Sequence, residues 1–113
     1  MSDPFGFHAE RYRNDFTEAE NRTFAEQFAS ITTAMAAAMA GGLPVTDARV
    51  QEQVRAHYEF CLQFWTPTRA AYKSLAMSYI LPSAYRDAYE SVAVGLGKYH
   101  YDAIVLWADT HLD

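Results

Sequence analysis

Between Thr17 and Gly42 the chain carries every mark of one long helix, and nowhere does it carry the marks of a strand. Thr17-Glu18-Ala19-Glu20 has the capping-box form. The Thr hydroxyl is available to a backbone donor and Glu20 can reach back to the cap. Phe24, Phe28, Ile31, Met35 and Met39 then recur at spacings of four, three, four and four, which holds them on one face. Gly41-Gly42 supplies the stop, because glycine accepts the left-handed conformation in which helices often end. No β-branched run alternates with polar residues as a half-buried strand does, and 19 alanines favour helix throughout. The expected class is therefore all-α.

The remaining chain divides into further helices with short connectors. A second long helix is expected from near Asp47, with Val50, Val54, His57, Cys61 and Phe64 or Trp65 on its stripe, stopping at Thr66-Pro67. Thr66 suits the N-cap of the next helix and Pro67 its first turn, where the missing donor costs nothing. Tyr72, Leu75, Ala76 and Tyr79 mark that helix's face. Leu81-Pro82-Ser83 resets the chain before a segment with Tyr85, Tyr89 and Val92 on one side. A last helix follows Gly95-Leu96-Gly97 and presents Tyr99, Ala103, Ile104 and Trp107. Residues 1–16 read as a short or mobile segment. The sum is about five helices, with no internal repeat and no low-complexity linker.

At 113 residues this is one domain, 1–113, able to bury roughly two thirds of its unfolded surface without disulfides or a structural metal. Lone Cys61 can make no internal bridge, and one thiol is too few for a cysteine-based zinc site. Residues 1–56 carry eight acids and five bases, residues 57–113 six and four, giving a net charge of −5. No basic face invites nucleic acid or anionic lipid. Met1-Ser2-Asp3-Pro4 shows no basic residue followed by an apolar run, so the expected location is cytoplasmic. The Asn21-Arg22-Thr23 sequon is then accidental, since glycosylation needs a secreted context. The uncharged stretch from Gln27 to Thr46 approaches bilayer length, but its alanines, hydroxyls, Gly41-Gly42 and Pro44 describe a core helix instead of a span.

A search for reactive constellations finds little, and the chain is expected not to be an enzyme. None of the local nucleophile signatures occurs. His57-x-Glu59 and His100-x-Asp102 place His near a carboxylate in sequence, yet two residues apart on a helix they point in different directions. His57 and Cys61, four apart, could share a metal ion, but no third ligand stands at matching spacing. His57 reads instead as a partly buried histidine, hydrogen-bonded at the rim of the core, where it can also touch a ligand. A haem pocket fails on the same ground. Gly95-Leu96-Gly97-Lys98 resembles the end of a phosphate loop but lacks the earlier Gly and the following Ser or Thr, so it reads as a helix-breaking turn. No metal and no cofactor is expected.

What stands out is the ring content: eight Tyr, seven Phe and two Trp, 15% of the chain. The richest part runs from Tyr58 to Tyr79. On the long helix Tyr58, Cys61 and Trp65 share one side, while Phe60 and Phe64 lie on an adjacent one. Any one of these rings can be core packing. Tyrosines also suit the wall of a partly wet cavity, since each hydroxyl wants a partner, and a cleft lined this way suits flat, multi-ring, mostly uncharged ligands.

Over nearly its whole length the sequence resembles the TipA-type (TipAS) antibiotic-recognition domain, the effector-binding half of MerR-type activators. Phe16-Thr17-Glu18-Ala19-Glu20 is similar to the family's opening of its first long helix, and Ala37 through Pro44 to its helix end and Gly-containing turn. His57, Phe64-Trp65, Tyr72, Leu75-Ala76, Tyr79, Tyr85, Gly95-Leu96 and Ala103-Ile104 follow the family's succession of His, aromatic pair, Leu-Gly, Tyr, aromatic, Gly-Leu and Ala-Ile. The resemblance implies a compact globin-like bundle enclosing a cleft for hydrophobic peptide antibiotics, thiopeptides or albicidin-like oligoaryl compounds. It also implies a departure. Where the thiopeptide-binding prototype has cysteines, one of which captures the ligand covalently, this chain has about Pro67 and Ser74, and an unactivated hydroxyl is a poor nucleophile. Binding is expected to be noncovalent, with no such role for Cys61.

The expected lining is His57 as a polar contact with Tyr58, Phe64, Trp65, Tyr72, Tyr79, Tyr99 and Trp107, at least two of them plain core. The N-terminal segment is expected to close over the ligand. A MerR-type DNA-binding half does not fit before Thr17, so no direct nucleic-acid contact is expected. The chain reads as a free-standing sequestering protein, a separately translated effector domain or an excised part of a longer one, and as a monomer. The rival reading is a protein-interaction or dimerisation module with no small-molecule ligand.

Overall fold

The structure, a computed structural model, describes residues 16–113. Apart from Phe16, the N-terminal segment expected to be mobile and to close over a ligand lies outside the described residues. Five helices follow one another: α1 Glu18–Ala40, α2 Ala48–Cys61, α3 Arg69–Met77, α4 Ala84–Val92 and α5 Leu96–His111. There is no strand among the described residues.

The caps explain where each helix starts. Thr17 accepts from the Glu20 N–H at 3.1 Å while its own N–H donates to Glu20 at 2.9 Å, so the expected capping box is formed in full. Asp47, Thr68 and Ser83 accept from Arg49, Ala71 and Arg86 N–H groups at α2, α3 and α4. Two boundaries differ from the sequence reading. Helix α2 ends at Cys61, and Leu62 to Phe64 form a turn in which the Phe64 and Trp65 N–H groups both donate to the Cys61 carbonyl. Pro67 disfavours helical backbone at Thr66, and its own carbonyl accepts from the Tyr58 hydroxyl at 3.3 Å. The cap therefore falls on Thr68, not Thr66. At α5 the helix begins at Leu96, so Gly95 with φ 87° is the N-cap and Gly97 lies inside the first turn.

Helix α5 is the axis of the bundle, packing against all four others, while α1 also packs on α2 and α4. Its Leu96, Ala103, Ile104, Trp107 and Ala108 are buried among Ile31, Met35, Val50, Val54, Tyr72 and Leu75. Fully burying each of the large aliphatic side chains among them contributes about 1.5–3 kcal/mol. Helix α4 packs on α1 and α5 but not on α2 or α3, which leaves a gap between them.

Candidate functional site

That gap is a cavity of about 470 Å³, walled by Phe16, Asn21 and Phe28 at α1, His57, Phe60 and Cys61 of α2, Phe64 and Trp65 of the following turn, Leu75 and Tyr79 at α3, and Tyr85 and Ala88 of α4. No Asp, Glu, Lys or Arg is among these residues. The early end of α2 makes the wall possible. Released from helix geometry, Trp65 turns into the protein and is buried, while Phe64 meets Phe24 at 4.7 Å and Phe60 at 5.2 Å between ring centroids.

Many of the described rings form one connected system. From Phe16 it passes through Phe64, Phe60 and Phe28 to Tyr89, where Phe28 stacks at 5.5 Å. Tyr89 lies 4.2 Å from Tyr79, and from there contacts run through His57 to Tyr72, Trp107 and Tyr58. Edge-to-face and offset pairs of this kind contribute about 0.5–1.5 kcal/mol each beyond buried area.

At the cavity floor lies a polar knot. His57 is not at the core rim but only 1% exposed. Its Nδ1 is hydrogen-bonded to the Tyr72 hydroxyl at 2.8 Å and its Nε2 to the Tyr79 hydroxyl at 3.1 Å. A neutral imidazole has one donor and one acceptor nitrogen, so one hydroxyl receives its proton and the other gives one. His100, its ring centroid 4.6 Å from that of His57, is held through Nδ1 by the Tyr89 hydroxyl at 2.7 Å. Its Nε2 is buried and has no hydrogen-bond partner among the described residues. Burial lowers the His57 pKa to about 3. Burial, then the neighbouring His57, takes His100 well below the ordinary histidine range. Both rings are neutral at pH 7, and the cavity floor carries no charge. The described residues hold no His, Cys, Asp and Glu group that could bind a metal ion. Burial pushes the Cys61 thiol up to about 12, which leaves it protonated and unreactive.

Of the eight residues singled out from sequence, the structure brings His57, Phe64, Trp65 and Tyr79 together in the cavity wall. Tyr58, Tyr72 and Trp107 pack against one another on the far side of His57, where Tyr72 is fully buried. Tyr99 donates to the Leu43 carbonyl at 2.7 Å and ties α5 to the turn after α1. Phe16, Phe28, Phe60 and Tyr85 complete the wall without having been chosen. Phe60 and Phe64 stand three and seven residues after His57, a spacing that marks one helix side, and this was the signal available for them.

The position of Tyr79 is set from α5. The Glu90 carboxylate accepts from the Gly95 N–H at 3.0 Å and the Gly97 N–H at 3.2 Å, and these two donors hold its pKa below the usual range. Gly97 in turn lies against the Tyr79 backbone: a Cβ there would collide with the carbonyl oxygen and come within 3.1 Å of the carbonyl carbon. The Gly95-Leu96-Gly97 element thus seats the turn that presents Tyr79.

These features define a small all-helical domain of globin-like arrangement with an uncharged, ring-lined cavity beside its central helix. The chain belongs to the TipAS antibiotic-recognition domain family, whose profile matches residues 8–107. Its fold is similar to that of a solved structure from Streptomyces lividans, described as a thiopeptide antibiotic multidrug resistance system with nosiheptide in complex with TipAS. The TM-score is 0.78 at 18% identity, over 85% of this chain and 68% of that one. No curated protein matches the sequence. No helix among the described residues is long and apolar enough to cross a membrane.

Proposed function

We propose that this chain binds hydrophobic multi-ring peptide antibiotics, thiopeptides or albicidin-like compounds, noncovalently, and so sequesters or senses them. The observation that carries the reading is the cavity wall: about 470 Å³ bounded by seven aromatic side chains of Phe, Tyr and Trp near a neutral His57, with no charged side chain among the described residues of the wall. Such a space accepts flat uncharged rings and rejects ions, which would be desolvated there without a partner. Membership of the antibiotic-recognition family points the same way, as does the nosiheptide bound by the structural relative. Capture without a covalent bond is supported by the burial of Cys61, the one thiol, which keeps it protonated. We read residues 1–113 as one recognition unit acting as a cytoplasmic monomer, without catalysis, cofactor, membrane or nucleic acid.

Backbone amide NMR tests this. Titration with nosiheptide is expected to shift the resonances of Phe60, Phe64, Trp65 and Tyr79 together, leaving the Tyr99 region unmoved. Shifts confined to another surface, or a dimer in sedimentation that buries the ring-lined wall, would instead support a protein-interaction module.

A further inference from the structure

Helix α4 is amphipathic, with an apolar face only partly covered by the fold. Tyr85, Ala88, Tyr89 and Val92 stand at relative positions 0, 3, 4 and 7 and share one side, while Arg86, Asp87, Glu90 and Ser91 lie on the other. A face of this composition belongs against a core. Here only Tyr89 is buried, on Phe28 and Tyr79. Tyr85 and Ala88 border the cavity, and beyond Ala88 the same face continues to Val92, which is 45% exposed. Among the described residues, four of the five exposed large hydrophobics, Leu81, Tyr85, Val92 and Val94, fall on α4 or its flanks. Apolar surface gathered at the edge of a pocket marks a binding surface, whereas single scattered residues do not.

The cavity is also too small for the whole of such a ligand. About 470 Å³ lies within the range of about 300–1,000 Å³ that encloses one drug-sized molecule. A ring-closed peptide bearing several heterocycles is larger than that. We propose that the Ala88–Val92 side of α4 is a second contact surface for the same ligand. One planar portion enters the cavity, Tyr85 stands at its edge, and an uncharged apolar portion of the overhang lies along Ala88 and Val92. The charged side chains of α4 point elsewhere, so an ionic group on the overhang gains nothing there. This surface rests on the antibiotic-binding reading above and extends it.

The test uses two probes of different size on the full chain: nosiheptide, and a bithiazolylpyridine small enough to enter the cavity whole. Val92 is half exposed and touches no cavity-wall role, so Val92→Asn and Val92→Phe are expected to fold, as checked by thermal melts. Loss of the valine's contact should weaken nosiheptide about fivefold in Val92→Asn. Val92→Phe should hold or tighten it, and the small probe should stay within about twofold of its original affinity in both variants. Unchanged nosiheptide affinity in Val92→Asn overturns the surface, and so do equal losses for both probes, which would place the effect in the cavity. A self-association in sedimentation that Val92→Asn abolishes would assign the face to a second copy and also overturn it. Binding of the small probe without nosiheptide leaves the cavity reading intact and removes the second surface. Failure of both probes with the unaltered chain defeats the antibiotic-binding reading itself.

Discussion

Gly97 and Tyr79 are in backbone contact: the α-carbon of the one lies so close to the carbonyl of the other that no side chain fits between them. Through this contact the first turn of α5 fixes the turn that carries Tyr79 into the cavity wall. Gly97→Ala is expected to force the two apart, at a cost of about 1–3 kcal/mol for overpacking. Because Tyr79 moves, ligand affinity should fall as well. Urea denaturation and a binding titration on the same variant check both effects. Gly95→Ala, strained by its positive φ of 87°, should lose about 1–2 kcal/mol of stability with a smaller effect on binding.

The neutral histidine pair makes stability depend on acid. Both rings have folded pKa values below the unfolded one, His57 at about 3. The unfolded chain therefore takes up protons first as pH falls. Stability from these groups is full above about pH 6.5 and is lost as pH drops below it, by about 1.4 kcal/mol per pH unit for each histidine. Between about pH 6.5 and 5 most carboxylates are still ionised, so the histidines dominate the slope. Urea titrations in that window should show it, and His57→Gln should remove roughly one proton from the linkage.

Two rings near His57 should behave oppositely on truncation. Tyr72 is fully buried away from the cavity, so Tyr72→Ala should cost about 3–5 kcal/mol of stability. Phe64 is only half-buried and faces the cavity. Phe64→Ala should cost less stability and weaken ligand binding more. Calorimetric melts paired with binding curves separate the outcomes.

Helix starts were legible because they are written locally. Thr17 and Glu20 satisfy each other across one turn, and Asp47 caps its own helix, with no help from distant residues. The end of α2 was not legible, because Trp65 leaves the helix to reach a tertiary pocket and Pro67 is tied to Tyr58. The same limit applies to the site. Periodicity shows which rings share a helix side, but which side faces the cavity depends on α4 standing away from α2 and α3. Hence His57, Phe64, Trp65 and Tyr79 converge on it, whereas Tyr58, Tyr72 and Trp107 form a cluster behind His57. The depth of His57 depended on two tyrosines, 15 and 22 residues further on, meeting its two nitrogens.

Trp65 lines the cavity and Trp107 does not, which gives a direct optical test of the central claim. In a Trp107→Phe variant, Trp65 is the sole indole, and its emission should change saturably as a thiopeptide is added. The expected dissociation constant lies below about 100 μM, corresponding to roughly −5.5 kcal/mol. An emission that stays constant, or changes without saturating, for both thiopeptide and oligoaryl compounds would contradict the claim that this cavity is an antibiotic-binding site.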